Sequence, residues 1–273
     1  RNMAATLMRH ADSCVSSICR RGERMDYYGA SDQGLKRELN EDSYCCMENK
    51  NGDFLAVVCD GIGGSAAGEV ASKMAVMHLQ ERFCKADAFA NEPAVVRWIT
   101  SVIEEANDQI FTAAMRNESK RGMGTTCVGI LCSNERTFVF NVGDSRVYAL
   151  YADSFLAMTE DHSYIADLLK NGTITLEEAK VHPGRNMLTN ALGVWDHVKI
   201  DIHKIREDYE LLLVCSDGLH GYVSEDTIKA VLQSRSHTLK EKVELLIQLA
   251  NDMGGYDNVS AVLVSKEADV TNG

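Results

Sequence analysis

Only two prolines interrupt the 273 residues, and no proline-rich, serine-rich or single-sign charged stretch divides them. That poverty of linker composition favours one large domain over two small ones. Long apolar runs are missing too. Phe54–Cys59 and Leu211–Cys215 are the longest, well short of the roughly 20 residues that cross a bilayer. No secretory leader is expected either. Basic residues are outnumbered 28 to 40, a formal charge of −12, which disfavours a nucleic-acid or anionic-membrane surface. The nine cysteines are odd in number and form no Cys-x-x-Cys pair. Cys59, Cys127, Cys132 and Cys215 sit inside apolar runs, as small hydrophobes of a reduced, cytoplasmic protein would. His10, Cys14 and Cys19 are irregularly spaced and lack a fourth partner, which argues against zinc.

What is present is core. Hydrophobic residues make up 45% of the chain, enough for a large buried interior. Strand-like segments fall at 28–32, 43–49, 54–59, 126–132, 137–142, 145–151, 211–215 and 259–264, with Asn134-Glu135-Arg136 as a hairpin-length gap. Helical periodicity runs from Pro93 through Val95, Ile99, Val102, Ala106, Ile110 and Ala113, and less regularly over Ala66–Phe83. A third helix is predicted through Leu239, Val243, Leu246, Ala250 and Met253. A fourth spans Ser224–Leu232, with Ser224 as N-cap but Thr227 short of a capping box. The order is not a strict βαβ alternation. It suits an α+β fold of mainly antiparallel sheets covered by helix pairs. Residues 1–27 read as an extension that could hold a short helix, 28–265 as the domain and 266–273 as a tail.

Four aspartates stand in tight turns at strand ends. Asp60, Asp144 and Asp217 each follow an apolar run, and Asp257 lies just before the strand Val259–Val264. Glycine beside a carboxylate lets the backbone turn sharply and approach whatever the carboxylate holds. Several carboxylates converging without basic partners repel one another, so a hard divalent cation is the natural counter-charge. Singly, each aspartate would be an ordinary turn-former or cap.

Together they belong to an ordered series: Ser31-Asp32-Gln33-Gly34, Arg37, Asn40-Glu41-Asp42, Asp60-Gly61-Ile62-Gly63-Gly64, Gly124-Thr125-Thr126, Val142-Gly143-Asp144-Ser145-Arg146, Cys215-Ser216-Asp217-Gly218-Leu219 and Asp257-Asn258-Val259. In this the chain resembles the metal-dependent serine/threonine protein phosphatases of the protein phosphatase 2C type, in their compact bacterial form. The resemblance implies two packed antiparallel sheets with a helix pair on each outer face, and two Mn²⁺ or Mg²⁺ ions at one end. It implies that Asp60 bridges the ions, that the Gly61 carbonyl binds one of them, and that Asp217 and Asp257 complete the first ion. Glu41, with Asp42 beside it, would support the site from behind, and Arg37 would clamp the phosphate. Asp144, with Asp217, would take a weaker third ion. The expected reaction is hydrolysis of phosphoserine and phosphothreonine in proteins by a metal-activated water.

Bland readings stand beside these. Arg37 and Glu41 have helix-like i,i+4 spacing, and Asp144 with Arg146 could simply close a hairpin. Gly124-Thr125-Thr126 reads as packing and strand entry. Ile62 stands where some family members carry a histidine. The candidate histidines for that place, His162 and His182, fall in the segment 161–192, which resembles the bacterial family's flap and continues to Arg185 and Asn186. The expected partners are phosphoproteins opposed by a serine/threonine kinase, met by a monomer. Two competing readings are a non-catalytic member of the fold and a phosphoesterase of small metabolites. The intact ligand aspartates count against the first, and no aromatic cluster near the motifs supports recognition of the second.

Overall fold

The computed structural model describes residues 25–63 and 67–266. The His10, Cys14 and Cys19 set, the short helix within 1–27, Gly64, the start of the first long helix at Ala66 and the tail beyond Lys266 lie outside them. Two five-stranded sheets stack face to face. One has the order β1 (Met25–Asp32), β12 (Val259–Lys266), β11 (Tyr209–Cys215), β8 (Arg146–Tyr151), β9 (Phe155–Ala157). The other runs β10 (Asp201–Lys204), β7 (Arg136–Val142), β6 (Cys127–Ser133), β3 (Phe54–Cys59), β2 (Ser43–Glu48). Every pairing is antiparallel.

Side-chain alternation builds the layers. In β3, Phe54, Ala56 and Val58 meet Val147, Leu212, Val214 and Val262 of the facing sheet. Leu55, Val57 and Cys59 point the other way, onto helices α1 (Ala67–Lys85) and α2 (Glu92–Arg116). The outer face of the first sheet is covered by α6 (Glu225–Gln233) and α7 (Leu239–Asp252) through Ile228, Leu232, Val243 and Leu246. A strand buried on both faces therefore reads as a continuous apolar run, which is why β3 stands out in the sequence.

Local chemistry sets the ends. Asn91 caps α2 by accepting from the Ala94 N–H at 3.0 Å, with Pro93 in the first turn. Thr238 and Glu241 form a full capping box on α7. Ser224 caps α6 alone, accepting from Thr227. The β6–β7 hairpin turns on two residues, Asn134 and Glu135, both at positive φ (52° and 60°), so Arg136 is already paired with Ser133.

All eight expected strands form. Four shorter ones are added: β4 (Gly61–Ile62), β5 (Gly124–Thr125), β9 and β10. β1 begins at Met25, three residues ahead of the expected domain start. The segment 161–192 carries α3 (Tyr164–Lys170) and α4 (Leu176–Val181), and α5 (Asp217–His220) follows β11. Among the described residues no helix is long and apolar enough to cross a membrane. Cys45, Cys46, Cys59, Cys84, Cys127, Cys132 and Cys215 all carry free thiols.

Candidate active site

The strand register gathers the motif ends at one edge of the sandwich. Asp32 pairs with Val259, Ser43 with Cys59, Cys127 with Val142, and Cys215 with both Ala261 and Arg146. The loops that continue from these pairs carry Arg37, Glu41, Asp42, Asp60, Asp144, Asp217 and Asp257.

Asp60 and Glu41 are held by their backbones, and Asp42 by its carboxylate. The Asp60 N–H donates to Thr126 Oγ1 at 2.9 Å, and the Asp60 carbonyl accepts from the Thr126 N–H at 2.8 Å and from Thr125 Oγ1 at 2.9 Å. Gly124-Thr125-Thr126 is thus an anchor for Asp60. Gly61 and Ile62 pair with Thr125 and Gly124 in the small β4–β5 ladder. A Cβ on Gly61 would lie 2.4 Å from the Gly68 carbonyl oxygen and 2.6 Å from that of Glu41, so glycine is required where these three segments meet. The Glu41 N–H donates to Asn258 Oδ1 at 2.8 Å, while the Asn258 amide donates to the Gln33 and Leu39 carbonyls, both at 2.8 Å. Asp42 accepts from Ser216 Oγ at 2.7 Å, and Ser216 Oγ accepts from the Ser260 N–H at 2.9 Å. The neighbour of one acid fastens the next.

The carboxylates crowd one another. Burial pushes Asp60 well above the usual aspartate range, and the charges of Asp42, Asp217 and Asp144 push it further. Asp144 rises for the same reasons, burial first and then Asp217. Asp217 is pushed up to about 6 and Asp42 to about 7, each chiefly by burial. Glu41 Oε1, Asp42 Oδ1 and Asp217 Oδ1 are buried acceptors with no donor. Native interiors seldom leave such atoms unpaired, and a bound ion is one of the few remedies. Among the described residues, no three acidic, histidine or cysteine side chains already surround one point as ligands. Asp257 is occupied otherwise: it accepts from Arg37 Nη2 at 2.7 Å. Burial works against the charge on Arg37, but Asp257, Asp60 and Asp217 outweigh it and raise its pKa. The i,i+4 partner Glu41 takes no part in that ion pair.

Arg146 does not close a hairpin with Asp144. It grips Asp161 with two parallel bonds of 2.7 Å and donates to Tyr148 Oη at 2.9 Å. His162 lies beneath the loop that carries Asp144, 7% exposed. Its Nδ1 accepts from the Gly143 N–H at 3.2 Å and the Asn190 amide at 2.9 Å, so Nε2 carries the proton and donates to Asp201 at 2.8 Å. His182 caps the end of α4 and its Nδ1 accepts from the Gly184 N–H at 3.0 Å. Arg185 and Asn186 are exposed on the turn that follows.

The same architecture recurs in known proteins. The family model for protein phosphatase 2C matches residues 34–253. The chain belongs to the protein phosphatase 2C family. A serine/threonine phosphatase stp of Listeria innocua is 38% identical over 237 residues, which cover 86% of this chain and 94% of that protein. The crystal structure of the serine/threonine phosphatase Stp1 from Staphylococcus aureus superposes with a TM-score of 0.86 at 35% identity, covering 93% of this chain and 100% of that one. The catalytic domain of the serine threonine protein phosphatase PstP, solved in complex with two manganese ions, matches with a TM-score of 0.76 at 30% identity, over 88% and 97% of the two chains. The enzyme class expected from the motifs, a bacterial serine/threonine phosphatase, is the class of this chain.

Within that protein phosphatase 2C frame, several positioning residues gave little sequence signal. Asn258 and Ser216 appear in the motifs only as neighbours of aspartates. Gly68, whose added Cβ would lie 2.8 Å from Glu41 Oε1, has no signature at all. His220 bonds the Asp144 carbonyl at 3.0 Å through Nε2. Burial lowers its pKa to about 4, with Arg146 acting in the same direction, and leaves a neutral N–H donor.

Proposed function

We propose that this chain hydrolyses phosphoserine and phosphothreonine in proteins, with Mn²⁺ or Mg²⁺ held by the rim carboxylates. The observation that carries the reading is the set of donor-less buried oxygens on Glu41, Asp42 and Asp217 beside the crowded Asp60 and Asp144. All-oxygen donors suit hard divalent cations. In this reading Asp60, the Gly61 carbonyl, Asp217 and Asp257 hold two ions. Asp144 with Asp217 takes a weaker third. Bound ions supply positive charge to the phosphoryl oxygens and lower the pKa of water.

The chain's own residues do the rest. Arg37 stands at the mouth and, exchanged from Asp257, offers its planar fork to a phosphate dianion. Glu41 and Asp42 orient the polar interior behind Asp60. In this reading the segment that carries His182, Arg185 and Asn186 shapes substrate access, a role loops commonly take. Ile62 has no proton to give, and both ring nitrogens of His162 are already bonded. The leaving oxygen therefore takes its proton from neither. A monomeric, cytoplasmic enzyme opposing a serine/threonine kinase belongs to the same reading.

The test is hydrolysis of a phosphothreonine peptide with Mn²⁺, with EDTA, and in Asp217→Asn. Turnover with Mn²⁺ that falls by about a thousandfold or more in EDTA and in the variant is expected, the range for loss of metal-based charge stabilisation. Turnover that survives EDTA would overturn the metal assignment. Its absence with Mn²⁺ would overturn the activity.

A further inference from the structure

Two loops that deliver acidic residues to the site also deliver tyrosines. Tyr222 follows α5, whose first residue is Asp217. The turn is closed by the Gly221 N–H on the Asp217 carbonyl at 2.8 Å and the Tyr222 N–H on the Leu219 carbonyl at 3.2 Å. Tyr256 immediately precedes Asp257. The two rings stack with centroids 5.7 Å apart and planes 28° from parallel. Both remain open to solvent, at 37% and 54% exposure.

The pair does not stand alone. Gly255 accepts from the Leu35 and Lys36 N–H groups at 2.8 and 3.0 Å, and a Cβ on Gly255 would run into Leu35 Cγ at 2.6 Å. Leu35 is thereby laid against the Tyr256 turn, itself highly exposed. Gly254 sits at φ +125°, and the Tyr256 ring folds back so closely that a Cβ there would lie 2.3 Å from it. The turn is built to present this ring. The charges of Asp257, Asp217, Arg185 and Arg37 all reach the Tyr222 hydroxyl. An apolar, aromatic rim therefore borders the position where Arg37 faces the acid cluster.

Contiguous exposed aromatic surface marks interaction sites, and rigid aromatic rings are the residues that anchor peptides with little loss of freedom. We propose that Tyr222 and Tyr256, with Leu35, form a specificity subsite that takes an apolar or aromatic residue next to the phosphorylated residue of a peptide substrate. The proposal rests on the phosphatase reading above. Its occupant is set by continuity: the surface begins where the phosphate clamp ends, so a phosphopeptide seated on Arg37 must run across or beside it.

The experiment compares two phosphothreonine peptides that differ only in flanking residues, phenylalanine in one and glycine in the other, in the wild-type enzyme with Mn²⁺. A preference of about tenfold in kcat/KM for the phenylalanine peptide is expected, the size of one good aromatic contact. In Tyr222→Ala/Tyr256→Ala the ratio should fall towards one, and in Tyr222→Phe/Tyr256→Phe it should return. Equal rates in the wild type, or a ratio that survives the alanine pair, would overturn the subsite while leaving the phosphatase standing. Turnover of neither peptide would overturn both.

Discussion

Carboxylates stand at opposite ends of this sandwich, a third exposed at one and buried at the other, and they are treated in opposite ways. At the far end, Glu207 accepts from the Thr137 N–H at 2.6 Å, from Thr137 Oγ1 at 3.0 Å and from Lys266 Nζ at 3.2 Å, while Tyr209 Oη shares Thr137 Oγ1 at 3.0 Å. That acid ties the start of β7 and β11 to the end of β12, with its charge balanced. At the near end, Asp60 and Asp144 are raised by burial and then by neighbouring aspartates, Asp217 by burial and then by Asp257, and acceptor atoms of Glu41, Asp42 and Asp217 face no donor. Satisfied polar clusters hold a fold together, whereas unsatisfied ones that persist mark a place where stability has been given up for binding. The comparison separates scaffold from site without any reference to relatives.

Three substitutions press on that contrast. The largest effect belongs to Asp60→Asn, which removes one charge from the crowded end. Phosphopeptide hydrolysis should fall by roughly a thousandfold. In EDTA the variant should nevertheless melt higher than the wild type, by a few degrees for about 1 kcal/mol of relieved repulsion, as scanning calorimetry would show. An unchanged or lower melting point would mean that the near-end acids do not strain the fold. Glu207→Ala should do the reverse. The Thr137 N–H would lose its acceptor while Lys266 keeps the residue-207 carbonyl, now 2.7 Å away, so about 1–2 kcal/mol of stability should be lost, equally with Mn²⁺ and with EDTA, by denaturant titration. A loss that depended on metal would erase the distinction between the ends.

The smallest effect concerns Asp201, the acid that steadies His162. Burial raises its pKa, but hydrogen bonds from His162 and Lys199 outweigh it and bring the value below that of an ordinary aspartate. A depressed value means that the unfolded chain binds the proton more readily. The stabilisation is therefore complete above the ordinary aspartate pKa and disappears as pH falls through the lowered one. Asp201 is about a third exposed, so screening should limit the contribution to roughly 0.5 kcal/mol or less. Asp201→Asn should flatten the acid limb of stability against pH by that amount, and an unaltered limb would show the bond to be energetically idle.

The sequence displayed this contrast unevenly. β3 and β11 were legible because strands covered on both faces cannot avoid being apolar throughout. α2 and α7 were legible because one face of each repeats at helical spacing. β4, β5, β9 and β10, at two to four residues, are too short for any period to emerge. The rim aspartates showed through because a carboxylate, a glycine and a neighbouring apolar run are local. The residues that hold them did not. Asn258 reaches Glu41 across the whole chain, Ser216 reaches Asp42, and His162 gathers Gly143, Asn190 and Asp201. Polar partners of that kind leave no spacing to read. The Tyr222–Tyr256 stack escaped for the same reason: both tyrosines stand near motif aspartates in the sequence, but their pairing spans 34 residues with no spacing to mark it.

The bond between Arg37 and Asp257 makes the enzyme its own competitor. On the proposed assignment, a cation that takes Asp257 must release the guanidinium, and an oxyanion that takes the guanidinium must release Asp257. Each ligand clears the other's seat, and by thermodynamic reciprocity each must tighten the other by the same factor. Calorimetric titration of Mn²⁺ with and without inorganic phosphate would read that factor directly. Arg37→Ala should abolish it, and a factor that persisted in the variant would place the coupling elsewhere. A single ion pair would thus time the cofactor and the substrate to one another.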